Sequence, residues 1–375
     1  MQTGSHRNVQ PGADRDRPER AGSLEVTEMF RVHIYTGSLA LVGKSGVGQA
    51  ARHQRAALER TGVSVVEDWQ PRADVIHINT VLPCSFRAAR RARREGIPVI
   101  WYGHSTEADF RHSFVGSDLL APLFKRWLCL CYNRADLILT PTPYAAAILR
   151  SYGLRPPVQP LSNGVDTDFF APDPARRQAF RQAYGLKDTD RAVISVGHFM
   201  ERKGILDFIQ LARRMPDVRF FWFGYTDPAL VPRKIRKAMA AAPDNVSFPG
   251  FLSQEALRDA YCGADAFLFC SHEETEGIVV LEALACGTPT LLRDIPVYQD
   301  WLTDGVNVWK GRDLVRLEEK LRGILTKQLP DLTGAGRRVA EARSLPRIGQ
   351  ALQQFYATLP APQRNARPAP QRCTA

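Results

Sequence analysis

The chain has 375 residues, with 50 Lys and Arg against 39 Asp and Glu, a net charge of +11 and 44% apolar residues. That length exceeds one ordinary core and implies two domains of roughly 150 to 180 residues, while no apolar run reaches the roughly 18 residues that span a bilayer and no signal peptide opens the chain. The seven cysteines, Cys84, Cys129, Cys131, Cys262, Cys270, Cys286 and Cys373, form no CxxC pair and mostly sit in apolar stretches, so no disulfides and a reducing, cytosolic compartment are expected.

Residues 1–28 are polar and without periodicity, and read as a disordered leader. Phe30 to Tyr35 alternates like a first strand, and Gly37, Gly43, Gly46 and Gly48 lead into a helix from Gln49 to Arg60. A glycine loop there lets the backbone approach a ligand, which makes Gly46 and Gly48 candidate contacts. Gly43-Lys44-Ser45 imitates a P-loop, but five residues rather than four separate Gly37 from Gly43, which rejects that motif.

Further strands are expected at 74–79, 97–102 and 136–140, and the helical stretches between them indicate βαβ units and a parallel sheet. The positive excess is concentrated in this half, where Met29 to Val165 holds 17 Lys and Arg against 9 Asp and Glu. Arg87, Arg90, Arg91, Arg93 and Arg94 lie in one Ala- and Arg-rich helical stretch, a candidate membrane-docking helix for an anionic surface. Nucleic acid is not expected as a partner, because no aromatic platform is interleaved with the charge. His104 follows a strand's carboxyl end, where open α/β sheets bind ligands, with Glu107 and Asp109 close by. Leu119 to Tyr132 either packs as a core helix or exposes an amphipathic face to lipid.

Asn163-Gly164 marks the crossing into a second domain, and Asp166 with Asp168 imitates a metal-binding Asp-x-Asp. Ala192 to Val196 opens a second sheet, followed by a loop from Gly197 to Gly204 whose Arg202 and Lys203 suit a diphosphate. Strands at 218–225 and 245–252 follow, then a helix at 254–262 and a strand at 266–269. Helices are also expected at 318–326 and 345–359, and residues 360–375 read as a disordered tail.

The stretch Ser271 to Pro289 reads as acidic loop, helix, strand, with Glu274 in the loop and Glu282 inside the helix. Five steps from Gly277 carry Glu282 about 7 to 8 Å along the axis. Between the two acids lies the helix start at Gly277, Ile278 and Val279, whose free amides and positive dipole end attract an anion. A ligand with hydroxyls at both ends and phosphate in the middle fits this spacing. That is a nucleotide sugar, with Glu282 on ribose, the helix start on diphosphate and Glu274 on the donor hexose.

The spacing Glu274, Gly277, Glu282, followed by Ala283-Leu284-Ala285-Cys286-Gly287-Thr288-Pro289, resembles the E-x7-E signature of retaining glycosyltransferases of family 4. The resemblance covers about residues 29 to 358 and implies an α/β GT-B fold, two Rossmann-like domains with parallel sheets facing across a cleft. The expected division is 29–165 for an acceptor and membrane-docking domain, 166–344 for a nucleotide-sugar domain, and 345–359 for a terminal helix crossing back. His104-Ser105-Thr106-x-x-Asp109-Phe110-Arg111-x-Ser113-Phe114-x-Gly116-Ser117 is similar to bacterial 1,2-diacylglycerol 3-alpha-glucosyltransferases, a glycolipid-making branch that is monotopic on the cytoplasmic leaflet.

The resemblance implies transfer of glucose from UDP-glucose to diacylglycerol, with no cofactor and no metal, so Asp166 and Asp168 are read as a linker turn. The catalytic assignments are His104, Glu274 and Lys203, with Glu107 and Asp109 on the acceptor side. Family 4 usually reads Gly-Arg-x-x-x-x-Lys-Gly in the second domain's first loop. Lys203 matches, but His198 stands where the arginine belongs, which leaves open whether Arg202 takes over the second phosphate contact. Gly250 and Phe251 are base-contact candidates by the same resemblance. No residue stands out as a nucleophile, so a front-side mechanism is expected. The alternatives are a family 4 enzyme with another lipid or polysaccharide acceptor, and a nucleotide-sugar 2-epimerase on the same architecture.

Overall fold

The computed structural model describes residues 30–37, 46–67, 73–111 and 117–361. The leader, most of the first glycine loop, His112 to Gly116 and the tail lie outside the described residues.

The first sheet takes β1 (Arg31–Tyr35), β2 (Ser64–Val65), β3 (Val75–Ile78), β4 (Val99–Tyr102), β5 (Leu137–Thr140) and β6 (Val158–Pro160), in the order β2-β1-β3-β4-β5-β6. Its connections run through α1 (Gly46–Arg60), α2 (Pro83–Arg94), α3 (Glu107–Phe110), α4 (Ser117–Tyr132) and α5 (Pro143–Arg150). After α6 (Pro174–Ala183), the second sheet takes β7 (Arg191–Val196), β8 (Val218–Phe223), β9 (Val246–Gly250), β10 (Ala266–Phe269), β11 (Thr290–Arg293) and β12 (Trp309–Gly311), in the order β12-β11-β10-β7-β8-β9. Helices α7 (Ile205–Arg214), α8 (Arg233–Ala240), α9 (Gln254–Gly263), α10 (Ile278–Ala285), α11 (Leu314–Leu325), α12 (Thr333–Glu341) and α13 (Leu345–Ala357) complete the chain.

Every strand pair is parallel. Runs such as Val99-Ile100-Trp101-Tyr102 and Ala266-Phe267-Leu268-Phe269 are buried at every position, because helices cover both faces of each sheet. Separate apolar clusters fill the two faces of each sheet. Strand order reverses between β1 and β3 in the first sheet and between β7 and β10 in the second. Ligands bind outside the carboxyl ends of strands at such switch points.

Helix α13 packs back against the first sheet. Leu345, Ile348, Leu352 and Tyr356 join its core, and the Tyr356 hydroxyl lies 3.0 Å from Nε2 of buried His77. Two boundaries differ from expectation by three residues or more. Helix α1 is described from Gly46 rather than from Gln49. Helix α11 begins at Leu314 rather than Glu318, because the Asp313 side chain accepts from the Arg316 amide at 2.9 Å and caps it.

Candidate active site

The two switch points face each other across a cleft of about 380 Å³. Gly46, His104, Asp109 and Asn163 line it from the first-domain side, and His198, Arg202, Lys203, Phe251, Glu274, Gly277, Ile278 and Val279 from the second. All of these were expected at the site from the sequence except Asn163, which was read only as a turn; Val47, Met200, Tyr225 and Thr275 also line the cleft and were not expected. A larger cavity of about 680 Å³ lies at the opposite end of the second sheet, where β7, β11 and β12 begin at Arg191, Thr290 and Trp309. It holds neither Arg202 nor Lys203 and lies at the wrong strand ends for this chemistry.

Helix α10 starts at Gly277, whose φ of +87° is open to glycine, and an added Cβ would sit 3.2 Å from the Tyr298 hydroxyl. Ile278 and Val279, whose amides are the first of α10 and have no intrahelical acceptor, line the cleft. On the opposing loop a short 3-10 turn, Glu201–Lys203, ends at Gly204 with φ +77°. A Cβ on Gly204 would meet the Cys270 carbonyl oxygen at 2.1 Å, so glycine is what lets this loop lie against β10. Lys203 thereby reaches Glu274, with Nζ donating to Oε1 at 2.5 Å, and the Ser271 hydroxyl donates to the same oxygen at 2.7 Å. Burial pushes the Glu274 carboxyl up, but Lys203 and Arg202 outweigh it and hold the group below the ordinary carboxylate value. Burial pulls the Lys203 ammonium down against the opposing pull of Glu274.

Arg202 pairs across the cleft with Asp109 at 3.0 Å and donates to the Glu273 carbonyl at 3.2 Å. Burial raises the Asp109 carboxyl and Arg202 opposes it. His198 is tied down differently, with Nδ1 2.6 Å from the Tyr225 carbonyl. A carbonyl only accepts, so Nδ1 donates and Nε2 is left with a lone pair. Burial also lowers the His198 pKa, which favours this neutral form. A neutral acceptor repels phosphate oxygens, so the cationic role in this loop rests on Arg202 and Lys203.

His104 is buried and its pKa is pushed down to about 4 by desolvation, so its ring is neutral at neutral pH. Its Nε2 lies 2.9 Å from the Asn79 Oδ1, which also accepts from Gln54 at 2.8 Å. The amide therefore receives the Nε2 proton and leaves Nδ1 as the ring's acceptor. Asn79 and Gln54 were not anticipated, although Asn79 directly follows β3 at the switch point, the same rule that identified His104.

Several assignments move. Glu107 does not line the cleft; it pairs with Arg111 at 2.8 Å and Lys125 at 3.5 Å beside α4. The Gly250 carbonyl accepts from the Gly224 amide at 2.9 Å and joins strand ends, leaving Phe251, 53% exposed, at the cleft. Gly48 is buried inside the first turns of α1, behind Gly46. Asp166 and Asp168 pair with Arg60 at 2.6 and 3.3 Å, and the Asp166 Oδ1 accepts from the amides of Asp168 and Phe169, as a linker turn should. Among the described residues no cluster of His, Cys, Asp and Glu is arranged to hold a metal ion.

Glu282 departs most from expectation. It is buried behind the cleft wall, where the Tyr261 hydroxyl donates to its Oε2 at 3.0 Å. Burial pushes its carboxyl up from 4.5 to about 7, against the pull of Tyr261 and Arg52. The folded chain thus holds a proton that the unfolded chain releases between those values, so stability is full below about 4.5 and lost as pH rises through about 7. Glu282→Gln is expected to stabilise the empty protein at about pH 8 by up to about 3 kcal/mol and to change little near pH 5. Thermal unfolding at both pH values checks this, and equal gains at both would contradict it.

The acidic loop is also stitched to the first domain. The Thr142 hydroxyl donates to the Thr275 carbonyl at 2.8 Å, Tyr144 donates to Glu273 at 3.2 Å, and Asn163 Nδ2 donates to Glu276 at 2.7 Å. Ser162 donates a short bond to Glu276 as well. None of these contacts is encoded by local spacing.

The basic helix is exposed as expected: α2 buries Ser85, Ala88, Ala89 and Ala92 and turns Arg87, Arg90, Arg91, Arg93 and Arg94 outward. Arg91 pairs with Glu95 at 3.0 Å and Arg93 approaches Asp136 at 4.0 Å. Its neighbour α4 is amphipathic, burying Leu128, Cys131 and Tyr132 while Leu119, Leu123 and Leu130 are 86%, 64% and 54% exposed. Phe86 and Trp127 join the two helices at 5.6 Å. No helix among the described residues is long and apolar enough to cross a membrane.

The family model "Glycosyltransferase Family 4" matches residues 18–169 and "Glycosyl transferases group 1" matches residues 176–337. The chain is 38% identical to the processive diacylglycerol alpha-glucosyltransferase of Acholeplasma laidlawii over 328 residues, covering 87% of this chain and 98% of that protein. It is 29% identical to the alpha-galactosylglucosyldiacylglycerol synthase of Streptococcus pneumoniae, covering 87% and 89%. Among solved structures, Anabaena HepE in complex with UDP-glucose superposes with a TM-score of 0.70 at 16% identity, covering 88% of this chain and all of that one. Sucrose-phosphate synthase from Thermosynechococcus elongatus gives 0.66 at 21% identity, covering 76% and 73%. With its two parallel six-stranded sheets and these matches, the chain belongs to the family 4 glycosyltransferases of GT-B fold.

Proposed function

We propose that this glycosyltransferase moves glucose from UDP-glucose to the 3-hydroxyl of diacylglycerol with retention of configuration. The observation that carries the reading is the convergence of Arg202, Lys203, His104, Glu274 and the start of α10 in one cleft. It is supported by the 38% identity to a diacylglycerol alpha-glucosyltransferase over most of both lengths.

The diphosphate lies against the first amides of α10, with Arg202 and Lys203 stabilising the charge that grows as the sugar leaves. These two cations do the work a divalent metal would otherwise do, so no metal is required. His104 Nδ1 and Glu274 receive hexose hydroxyls, and the base lies beside Phe251, with Glu282 behind the wall rather than in contact with the ribose. Gly46, at the start of α1, leaves room on the opposite wall, with Gly48 packed behind it. With no nucleophile in place, the acceptor oxygen bonds the anomeric carbon on the face that the diphosphate leaves. The acceptor's proton passes to the departing phosphate oxygen.

The acceptor arrives from an anionic membrane, peripheral to its inner face, which α2 meets with arginines and α4 with leucines. Glucosyl-diacylglycerol is a second acceptor on this reading, supported by the word processive in the relative's name.

Labelled UDP-glucose and diacylglycerol in mixed micelles test the proposal. A labelled lipid that increases with anionic lipid and persists with chelator is the expected result. Donor hydrolysis without labelled lipid would remove the acceptor assignment, and sugar conversion without any acceptor would favour the epimerase.

A further inference from the structure

Asn163 lines the cleft at the crossing between the two domains and is only 4% exposed. Its side-chain oxygen, Oδ1, is buried and has no hydrogen-bond partner among the described residues. Buried side-chain polar atoms in folded proteins are nearly always paired, so an orphaned acceptor on the wall of a substrate cleft points to a group that the substrate brings. Resting on the donor reading above, we propose that Asn163 Oδ1 accepts a hydroxyl of the transferred hexose, and that Glu276 is the positioning residue that holds the amide in that orientation.

The orientation follows from what lies behind the amide. Glu276 is buried, and its Oε2 receives both the Asn163 backbone N–H at 3.0 Å and Nδ2 at 2.7 Å, while Ser162 donates to Oε1. A carboxylate oxygen accepts, so the amide turns its nitrogen to Glu276 and leaves Oδ1 as the atom for the cleft. The backbone is fixed on both sides of this contact. The next carbonyl, of Gly164, accepts from Nδ1 of buried His53 at 2.8 Å, and the Val165 amide donates to the Arg343 carbonyl at 3.0 Å. Both domains therefore hold the segment, and an acceptor held this firmly loses little entropy when it binds.

The chemistry of the atom selects its partner. An amide oxygen has no proton to give, so it takes an O–H and repels a phosphate oxygen. Its holder, Glu276, lies in sequence between Glu274 and Gly277, the residues read as hexose contact and helix start. That places Asn163 where the sugar joins the diphosphate. His104, whose Nδ1 is also an acceptor, lines the same first-domain wall. The wall that offers acceptors thus suits hydroxyls, and the opposite wall, with Lys203 and the helix amides, suits phosphate. The bond to Asn163 neither forms nor breaks in the reaction; it fixes the hexose ring against the leaving diphosphate.

The test compares UDP-glucose with the series of UDP-monodeoxyglucose donors, each lacking one ring hydroxyl, for wild type, Asn163→Ala, Glu276→Gln and Asn163→Ala/Glu276→Gln. The double variant removes the buried carboxylate that the first change deprives of the Asn163 side chain. Asn163→Ala is expected to lower kcat/KM for UDP-glucose about tenfold, the size of one hydrogen bond, with UDP affinity by calorimetry within about twofold of wild type. On one monodeoxy donor the two proteins should perform almost equally, because neither then makes the bond, while the other donors keep the tenfold difference. The double variant should repeat this pattern, and Glu276→Gln alone should show it at about threefold, since a glutamine amide no longer dictates which way Asn163 faces. Equal losses on every monodeoxy donor, or a matching fall in UDP affinity, would overturn the contact, as would a wild type that uses every monodeoxy donor as well as UDP-glucose. A loss confined to the diacylglycerol KM would overturn the hexose as the source of the hydroxyl. A wild type that binds no UDP would overturn the donor reading itself.

Discussion

Lys203→Ala is expected to lower glucosyl transfer by about 10²- to 10³-fold while leaving donor binding less affected. A preorganised cation facing the leaving group acts mainly on charge that appears in the transition state, and loss of one such donor typically costs about 3 to 4 kcal/mol of barrier. Lys203 also partners a carboxylate that is only 7% exposed. Removing it leaves the buried Glu274 carboxylate with only the Ser271 hydroxyl and the nearby Arg202 charge among the partners described, and losing one member of a buried ion pair costs up to about 3 to 5 kcal/mol of stability. The two effects separate in a double variant. Lys203→Met with Glu274→Gln removes the buried carboxylate and should recover most of the unfolding midpoint, yet transfer should remain low. Kinetics and thermal unfolding of the three proteins check this, and a Lys203→Ala protein within tenfold of wild-type kcat would contradict the assignment.

The second large effect is on membrane association. Each Lys or Arg near an anionic surface contributes about 1 kcal/mol, less where a carboxylate already partners it. Arg91 and Arg93 are partly neutralised by Glu95 and Asp136, whereas Arg87, Arg90 and Arg94 face no carboxylate within ion-pair distance among the described residues. Replacing all five with Gln should therefore weaken binding to phosphatidylglycerol vesicles by about 10²-fold at low salt, with a smaller difference at high salt. The exposed Leu119 and Leu123 of α4 supply an apolar contribution that the change leaves intact. Vesicle sedimentation measures it, with UDP affinity as the control. Equal partitioning of both proteins would remove α2 from the membrane surface.

The fold was legible where the chain is apolar throughout or amphipathic at helical spacing. Ala266–Phe269 is expected and observed as β10, and 254–262 and 345–359 correspond to α9 and α13 within two residues at each end. An apolar run of strand length can only be buried, and in a βαβ alternation the amphipathic stretches such as α9 and α13 are helices that bury one face against the sheets. Short edges such as β2 and β12 carry two and three residues and give no periodic pattern to read.

The site was legible where a rule about strand ends or helix starts applied, which placed His104, Lys203, Glu274 and Gly277 on the cleft. It was not legible where partners come from different domains. Asp109 with Arg202, and Asn163 with Glu276, are joined by closure of two sheets, and no spacing in either segment reports it. Glu282 is an intermediate case. In Ile278-Val279-Val280-Leu281-Glu282-Ala283-Leu284-Ala285 the helix is apolar on every side, so its one carboxylate is buried with the rest. The helical position was correct, but the step from helix to cleft wall ignored that pattern.

The central claim is that one closed cleft holds a donor diphosphate on Arg202, Lys203 and the start of α10 while an acceptor attacks from the same face. The most direct measurement is the anomeric configuration, by proton NMR, of the glucolipid that the purified protein forms from UDP-glucose and diacylglycerol. The expected product carries an α-linked glucose on the 3-hydroxyl. A β-linked product would contradict front-side transfer in this cleft.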